Sequence, residues 1–126
     1  VMAALLVSAC AATPQSDEDI LVERAQARWD ALVSGDLEAA YGFYSPGYRS
    51  TVSLIDFGVE IRMRRVTWTA ASYADHSCEG QRCEVRFDVG YRVPRPVPGL
   101  DVWESTQAVE DVWVKTNGQW WYLPKK

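Results

Sequence analysis

The chain has 126 residues, 48% hydrophobic and 24% charged, with a net charge of −4. That length and balance fit one globular domain with a single core. The acidic balance excludes a nucleic-acid-binding surface, which needs clustered Lys and Arg, and supplies no electrostatic pull toward anionic lipid. Aromatic residues make up 12% and include six Trp, which predicts large buried areas or a lined pocket.

Val1–Ala9 is uncharged and apolar, and it ends in small residues at Cys10. Nine such residues are far fewer than the roughly 20 that span a bilayer. Val7-Ser8-Ala9-Cys10 resembles the lipobox of bacterial lipoproteins. The resemblance implies a lipid on Cys10, attachment to a membrane through it, and a place in the bacterial cell envelope facing the periplasm or exterior. A secretory signal carries a basic region before its apolar run. No Lys or Arg precedes this one, so residues 1–9 read as a truncated signal peptide. The alternative is an apolar segment packed on the domain. Stable anchoring takes at least two acyl chains, and the resembled lipoproteins carry more than one. Residues 10–16 form the attachment cysteine and its tether, and 17–126 the domain.

Ser16 is a good helix cap, followed by Asp17, Glu18 and Asp19 at the positive end of the helix. Leu21, Ala25, Arg28, Trp29 and Leu32 recur at helical spacing up to Gly35, with Arg28 expected at the margin of the stripe. Asp36 caps a second helix from Leu37 to Tyr44. Tyr48–Val52 reads as a short extended piece, and Ser53 caps a third helix with Leu54, Phe57 and Ile61 inward.

After Arg65 the period becomes two. Val66–Asp75 reads as a strand. From Cys83 to Val93, Val85, Phe87, Val89 and Tyr91 alternate with Glu84, Arg86, Asp88, Gly90 and Arg92, one face buried and one wet. Pro94–Gly99, with three prolines, is a loop. Val102–Lys115 reads as a strand bulged near Glu110, where its alternation slips, and Asn117-Gly118 as a hairpin turn before Gln119–Leu123. Trp120, Trp121 and Tyr122 put aromatics on both faces of that last strand, and the outer ones invite a partner or a second copy.

Three cysteines are an odd number. A lipid on Cys10 leaves Cys78 and Cys83 as a pair flanking the turn Glu79-Gly80-Gln81-Arg82. Outside the cytoplasm a disulfide is the expectation there. A zinc site is the rival, but zinc takes about four ligands and only His76 stands near.

Helices followed by an antiparallel meander make an α+β fold. Trp29-Asp-Ala-Leu-Val-Ser-Gly-Asp36-Leu-Glu-Ala-Ala-Tyr41, Tyr44-Ser-Pro-Gly-Tyr48-Arg49 and Asn117-Gly-Gln-Trp120-Trp-Tyr resemble the nuclear transport factor 2-like superfamily. The resemblance implies a cone-like roll: three N-terminal helices on a strongly curved antiparallel sheet, often around a pocket. It leaves function open, since such folds host isomerases, hydrolases, dehydratases and binding modules.

Trp29, Tyr41, Phe57, Trp68, Phe87, Tyr91 and Trp113 are the candidate pocket lining. His76, beside a hairpin tip, reads as solvated. Asp56, Asp88 and Asp111 are the carboxylates on regular elements, with Asp88 on the wet face and Asp111 in a polar surface patch beside Glu110. Arg62, Arg64 and Arg65 suit the negative end of the third helix. Ketosteroid isomerase and polyketide cyclase branches of the resembled superfamily use carboxylates in apolar pockets, but their pattern does not align here. The expectation is a non-catalytic binding module without cofactor or metal, taking a small apolar ligand or an envelope protein, with a homodimer through the sheet as a further option. The alternative is a small isomerase or hydratase using a pocket carboxylate.

Overall fold

A computed structural model describes residues 15–125. The signal-like run, Cys10 and most of the tether lie outside the described residues. The element order is α1 (Asp17–Ser34), α2 (Leu37–Tyr41), α3 (Pro46–Thr51), α4 (Leu54–Met63), β1 (Thr67–Glu79), β2 (Arg82–Pro94), β3 (Val102–Thr116) and β4 (Gln119–Leu123). Among the described residues no helix is long and apolar enough to cross a membrane.

Local chemistry sets the helix ends. Ser16 Oγ accepts from the Asp19 N–H at 3.1 Å, and Gly35 closes α1 in the left-handed region at φ 78°. The second helix stops at Tyr41, short of the expected Tyr44, because Tyr44 is drawn into a bridge with Tyr122 at the sheet edge. The piece expected to be extended, Tyr48–Val52, is helical instead. Ser45 Oγ accepts from the Tyr48 N–H, and Pro46 sits in the first turn, where its missing N–H costs nothing.

The four strands form one antiparallel sheet in the order β1-β2-β3-β4. Asn117 and Gly118 both have positive φ, 52° and 76°, as the hairpin signal requires. The bulge expected near Glu110 is absent, and β3 pairs with β2 without a break from Val102 to Val114. The irregularities fall in β1, between Trp68 and Ala70 and between Tyr73 and Asp75. Each shifts the inward position by one residue and bends the strand. The core joins Leu21, Ala25, Trp29 and Leu32 of α1 to Val85, Phe87, Val89 and Trp113 of the sheet, with Phe57 of α4 closing one side. Burying each large side chain of this set contributes roughly 1.5–3 kcal/mol. The outer face carries ion pairs: Arg86 with Asp75 and Glu110, and Arg92 with Glu104. Cys78 and Cys83 stand directly opposite each other in the β1–β2 register and are joined by a disulfide.

Candidate functional site

Strand β4 is five residues long and ends at Leu123, opposite Val112. Beyond that point no strand among the described residues pairs with this edge of β3, and a cleft of about 770 Å³ opens beside it. This is the size range of small-molecule sites. α1 forms one wall, α4 and the α2–α3 connection another, and β3 with the end of β4 the third. Leu32, Phe57, Ile61, Trp68 and Val109 make the walls apolar, while Glu60, Arg64, Glu110 and Lys125 add charge.

The floor is a buried ion pair. Asp111 is 2% exposed and Arg28 4%. Arg28 Nη1 lies 3.2 Å from Asp111 Oδ2, and the Trp29 indole N–H donates to the same oxygen at 2.6 Å. Arg28 Nη2 donates to the Tyr44 hydroxyl at 3.2 Å. The guanidinium carbon sits 3.4 Å from the centre of the Tyr122 ring and 5.2 Å from each of the Trp29 and Tyr44 rings. An aromatic cage thus replaces the water that a cation loses on burial. Arg28 Nε is buried without a hydrogen-bond partner among the described residues.

Burial pushes the Asp111 carboxyl above its ordinary value, and Arg28, Trp29 and Lys125 pull it back only in part. Burial alone would lower the Arg28 guanidinium, but Tyr44, Tyr122 and Asp111 together hold it above its ordinary value. Burial raises the Tyr122 and Tyr48 hydroxyls to about 12, so both stay protonated at neutral pH.

Two sequence expectations are overturned here. Arg28 belongs to the core and not to its margin, and Asp111 faces inward and not into a surface patch. The unbroken register pairs Val109, Asp111 and Trp113 with Phe87, Val85 and Cys83 on the same inner face of the sheet, and Arg28 is buried against Asp111 there. Of the expected lining residues, Trp29, Phe57 and Trp68 do face the cleft. Phe87 and Trp113 are fully buried core. Tyr41 packs on Phe57, its hydroxyl reaching the Val52 carbonyl at 2.5 Å. Tyr91 faces a separate hollow of about 140 Å³ that shares Trp68 and Val109 with the cleft.

Asp88 and Asp56 are exposed. Arg62, Arg64 and Arg65 are exposed at the end of α4, where Arg64 pairs with Glu60 at 3.3 Å. Trp120 and Tyr122 are buried, and half-buried Trp121 lies under the guanidinium groups of Arg24 and Arg49. His76, expected to be solvated, is half-buried. Its Nδ1 is hydrogen-bonded to the Tyr73 hydroxyl at 2.6 Å, and its Nε2 lies 3.4 Å from Glu18 Oε2. Ligand atoms of Glu18, His76 and Cys78 lie within 4.8 Å of one another, the one group of metal-ligating side chains found among the described residues.

No protein-family profile and no curated sequence matches the chain. Solved structures do. A nuclear transport factor 2-like family protein from Streptomyces avermitilis, described as a candidate dehydratase, is 13% identical, with 90% of this chain and 99% of that one covered at a TM-score of 0.57. The chain has a nuclear transport factor 2-like fold. A candidate transpeptidase of that type from Campylobacter jejuni is 16% identical, with 87% and 100% covered at a TM-score of 0.52. A protein from Rhodopseudomonas palustris that contains a SEC-C motif is 15% identical, with 80% and 73% covered at a TM-score of 0.59. At these identities the nuclear transport factor 2-like fold is what is shared.

Proposed function

We propose that the chain is a binding module of the bacterial envelope, lipid-anchored through Cys10, whose cleft takes a small, mainly apolar ligand with one hydrogen-bonding group. The observation that carries the reading is an apolar-walled cleft with a buried carboxylate in its floor. Asp111 Oδ2 takes both the Arg28 and the Trp29 bonds, and Oδ1 takes neither. Oδ1 is the oxygen to which a ligand hydroxyl or amide N–H would donate, while Trp29, Trp68 and Phe57 hold the apolar body. The Cys78–Cys83 bridge is in keeping with an exported chain, because disulfides persist outside the reducing cytoplasm.

The test of binding is titration with Nile red, a neutral apolar dye, followed by displacement with small amphiphiles. Saturable binding that Asp111→Asn weakens for hydrogen-bonding displacers supports the reading, and the absence of any saturable binding overturns it. The location is tested by Cys10→Ser, which releases the protein from membranes; unchanged fractionation refutes the anchor.

A second reading is a small isomerase or hydratase in which Asp111 is the base. Its raised carboxyl favours this, since desolvation makes a carboxylate a stronger base. Against it, Arg28 and Trp29 already stabilise the ionised form, and the Tyr122 hydroxyl remains protonated. The two readings separate on turnover: an enzyme would consume a bound carbonyl compound, and Asp111→Asn would abolish that while binding persisted.

A further inference from the structure

We propose that Glu18, His76, Cys78 and Cys83 form a zinc-type metal site that the Cys78–Cys83 disulfide keeps closed and that reduction opens. His76 and Cys78 are two residues apart on β1, and Cys83 is the register partner of Cys78 on β2. Glu18 comes from the first turn of α1, which lies over this end of the sheet. The ligand atoms of Glu18, His76 and Cys78 are already within 4.8 Å of one another, and the disulfide holds the Cys83 sulfur against that of Cys78.

The imidazole is also oriented. Tyr73 is bonded to Nδ1, which leaves Nε2 pointing at Glu18. With a metal on Nε2, the Nδ1–H donates to the Tyr73 oxygen, the outer-shell bond that metal-bound histidines usually make. Two thiolates, one imidazole and one carboxylate are a tetrahedral donor set suited to Zn²⁺.

While the bridge is intact neither sulfur is a thiolate, so the site lacks half of its ligands. A dithiol reductant opens it by exchange. Its thiolate attacks one bridge sulfur, the S–S bond breaks, and the mixed disulfide is resolved by the reductant's second thiol. The reductant leaves as a disulfide, and Cys78 and Cys83 each gain one electron and one proton. Metal binding then displaces both protons. Cys78 is exposed and open to attack, whereas Cys83 is 1% exposed. Glu18 is exposed, so the site is reached from solvent without opening the core.

The experiment titrates Co²⁺ into the oxidised chain and into the chain reduced with a phosphine and desalted, with circular dichroism read alongside. The reduced chain is expected to bind one Co²⁺ with thiolate-to-metal charge-transfer absorption, displaced by Zn²⁺, and the oxidised chain to show no such band. His76→Ala and Glu18→Gln are each expected to weaken binding by the reduced chain about tenfold or more. The proposal is overturned by absence of the charge-transfer band, by equal affinity in both variants, or by a reduced chain that stays unfolded when metal is added.

Discussion

The indole N–H of Trp29 donates to Oδ2 of Asp111 at 2.6 Å, joining the middle of α1 to the inner face of β3 across 82 residues of sequence. The bond does two things. It helps to keep a desolvated carboxylate ionised, and it fixes how α1 lies on the sheet. Trp29→Phe keeps most of the ring and removes the donor. The expected cost is about 1–3 kcal/mol in urea unfolding. The Asp111 carboxyl should also titrate higher than before, since this bond holds it down. An unchanged titration would mean that the indole is mere packing.

The Arg28–Asp111 pair should be costly to break and cheap to replace. Asp111→Ala strands a guanidinium whose surroundings are aromatic, and about 3–5 kcal/mol of stability is expected to go. Arg28→Met with Asp111→Leu removes both charges together and should cost much less than the sum of the single changes. A double-mutant cycle by chemical denaturation measures this coupling. Additive losses would show that the two charges do not stabilise one another.

The pH dependence has a definite sign. The Asp111 carboxyl is raised in the folded state, so between its ordinary value of 3.8 and its folded-state value the native protein binds more protons than the unfolded chain. Its contribution to stability is therefore complete below 3.8 and is lost as the pH rises through the folded-state value. Arg28, Lys125 and Glu110 stand nearby, and Arg28 stays charged throughout. The carboxyl carbon of Asp111, followed by NMR, should titrate with a midpoint above 3.8. Stability relative to the Arg28→Met, Asp111→Leu variant should fall as the pH rises through that midpoint. A midpoint at or below 3.8 contradicts the desolvation argument.

The same pair marks where the sequence stops being legible. Leu21, Ala25, Trp29 and Leu32 announce α1 because helical spacing is a local property, and Ser16, Gly35 and Asn117-Gly118 announce its ends and a turn for the same reason. Asp111 hides because an acidic residue at an inward position looks like a break in the alternation. Only the β2–β3 register shows that the strand never slips there. Arg28 looks marginal until its partner, 83 residues away, is placed beside it. Glu18 and His76 meet for a similar reason, through the docking of α1 on β1. The β1 bulges conceal its inward set, which is why Trp68 could be assigned to the cleft lining from its size but not from periodicity.

The Cys78–Cys83 bridge closes a short loop, with a sequence separation of 5. The chain-entropy account gives about 2 kcal/mol for a loop of this length. Replacing both cysteines by serine should lower stability by about that amount and leave the fold intact, because β1 and β2 pair along their whole length. Thiol labelling of protein taken from the exported compartment should find neither cysteine free, and labelling of both would refute the bridge in that compartment.

Val109 offers a way to separate the cleft from the core. It is half-buried, faces the cleft and pairs opposite Phe87 on the inner side of the sheet. Val109→Trp keeps a residue that favours strands and projects an indole into space that the native fold leaves open. The expected result is loss of saturable Nile red binding with little change in melting temperature. Undiminished binding would place the ligand elsewhere, and a large drop in melting temperature would mean that the cleft is too narrow for the added ring. The Asp111→Asn variant serves as the counterpart, since it should retain the dye and lose preference for hydrogen-bonding displacers. Opposite behaviour of the two substitutions is what a site with apolar walls and a polar floor requires.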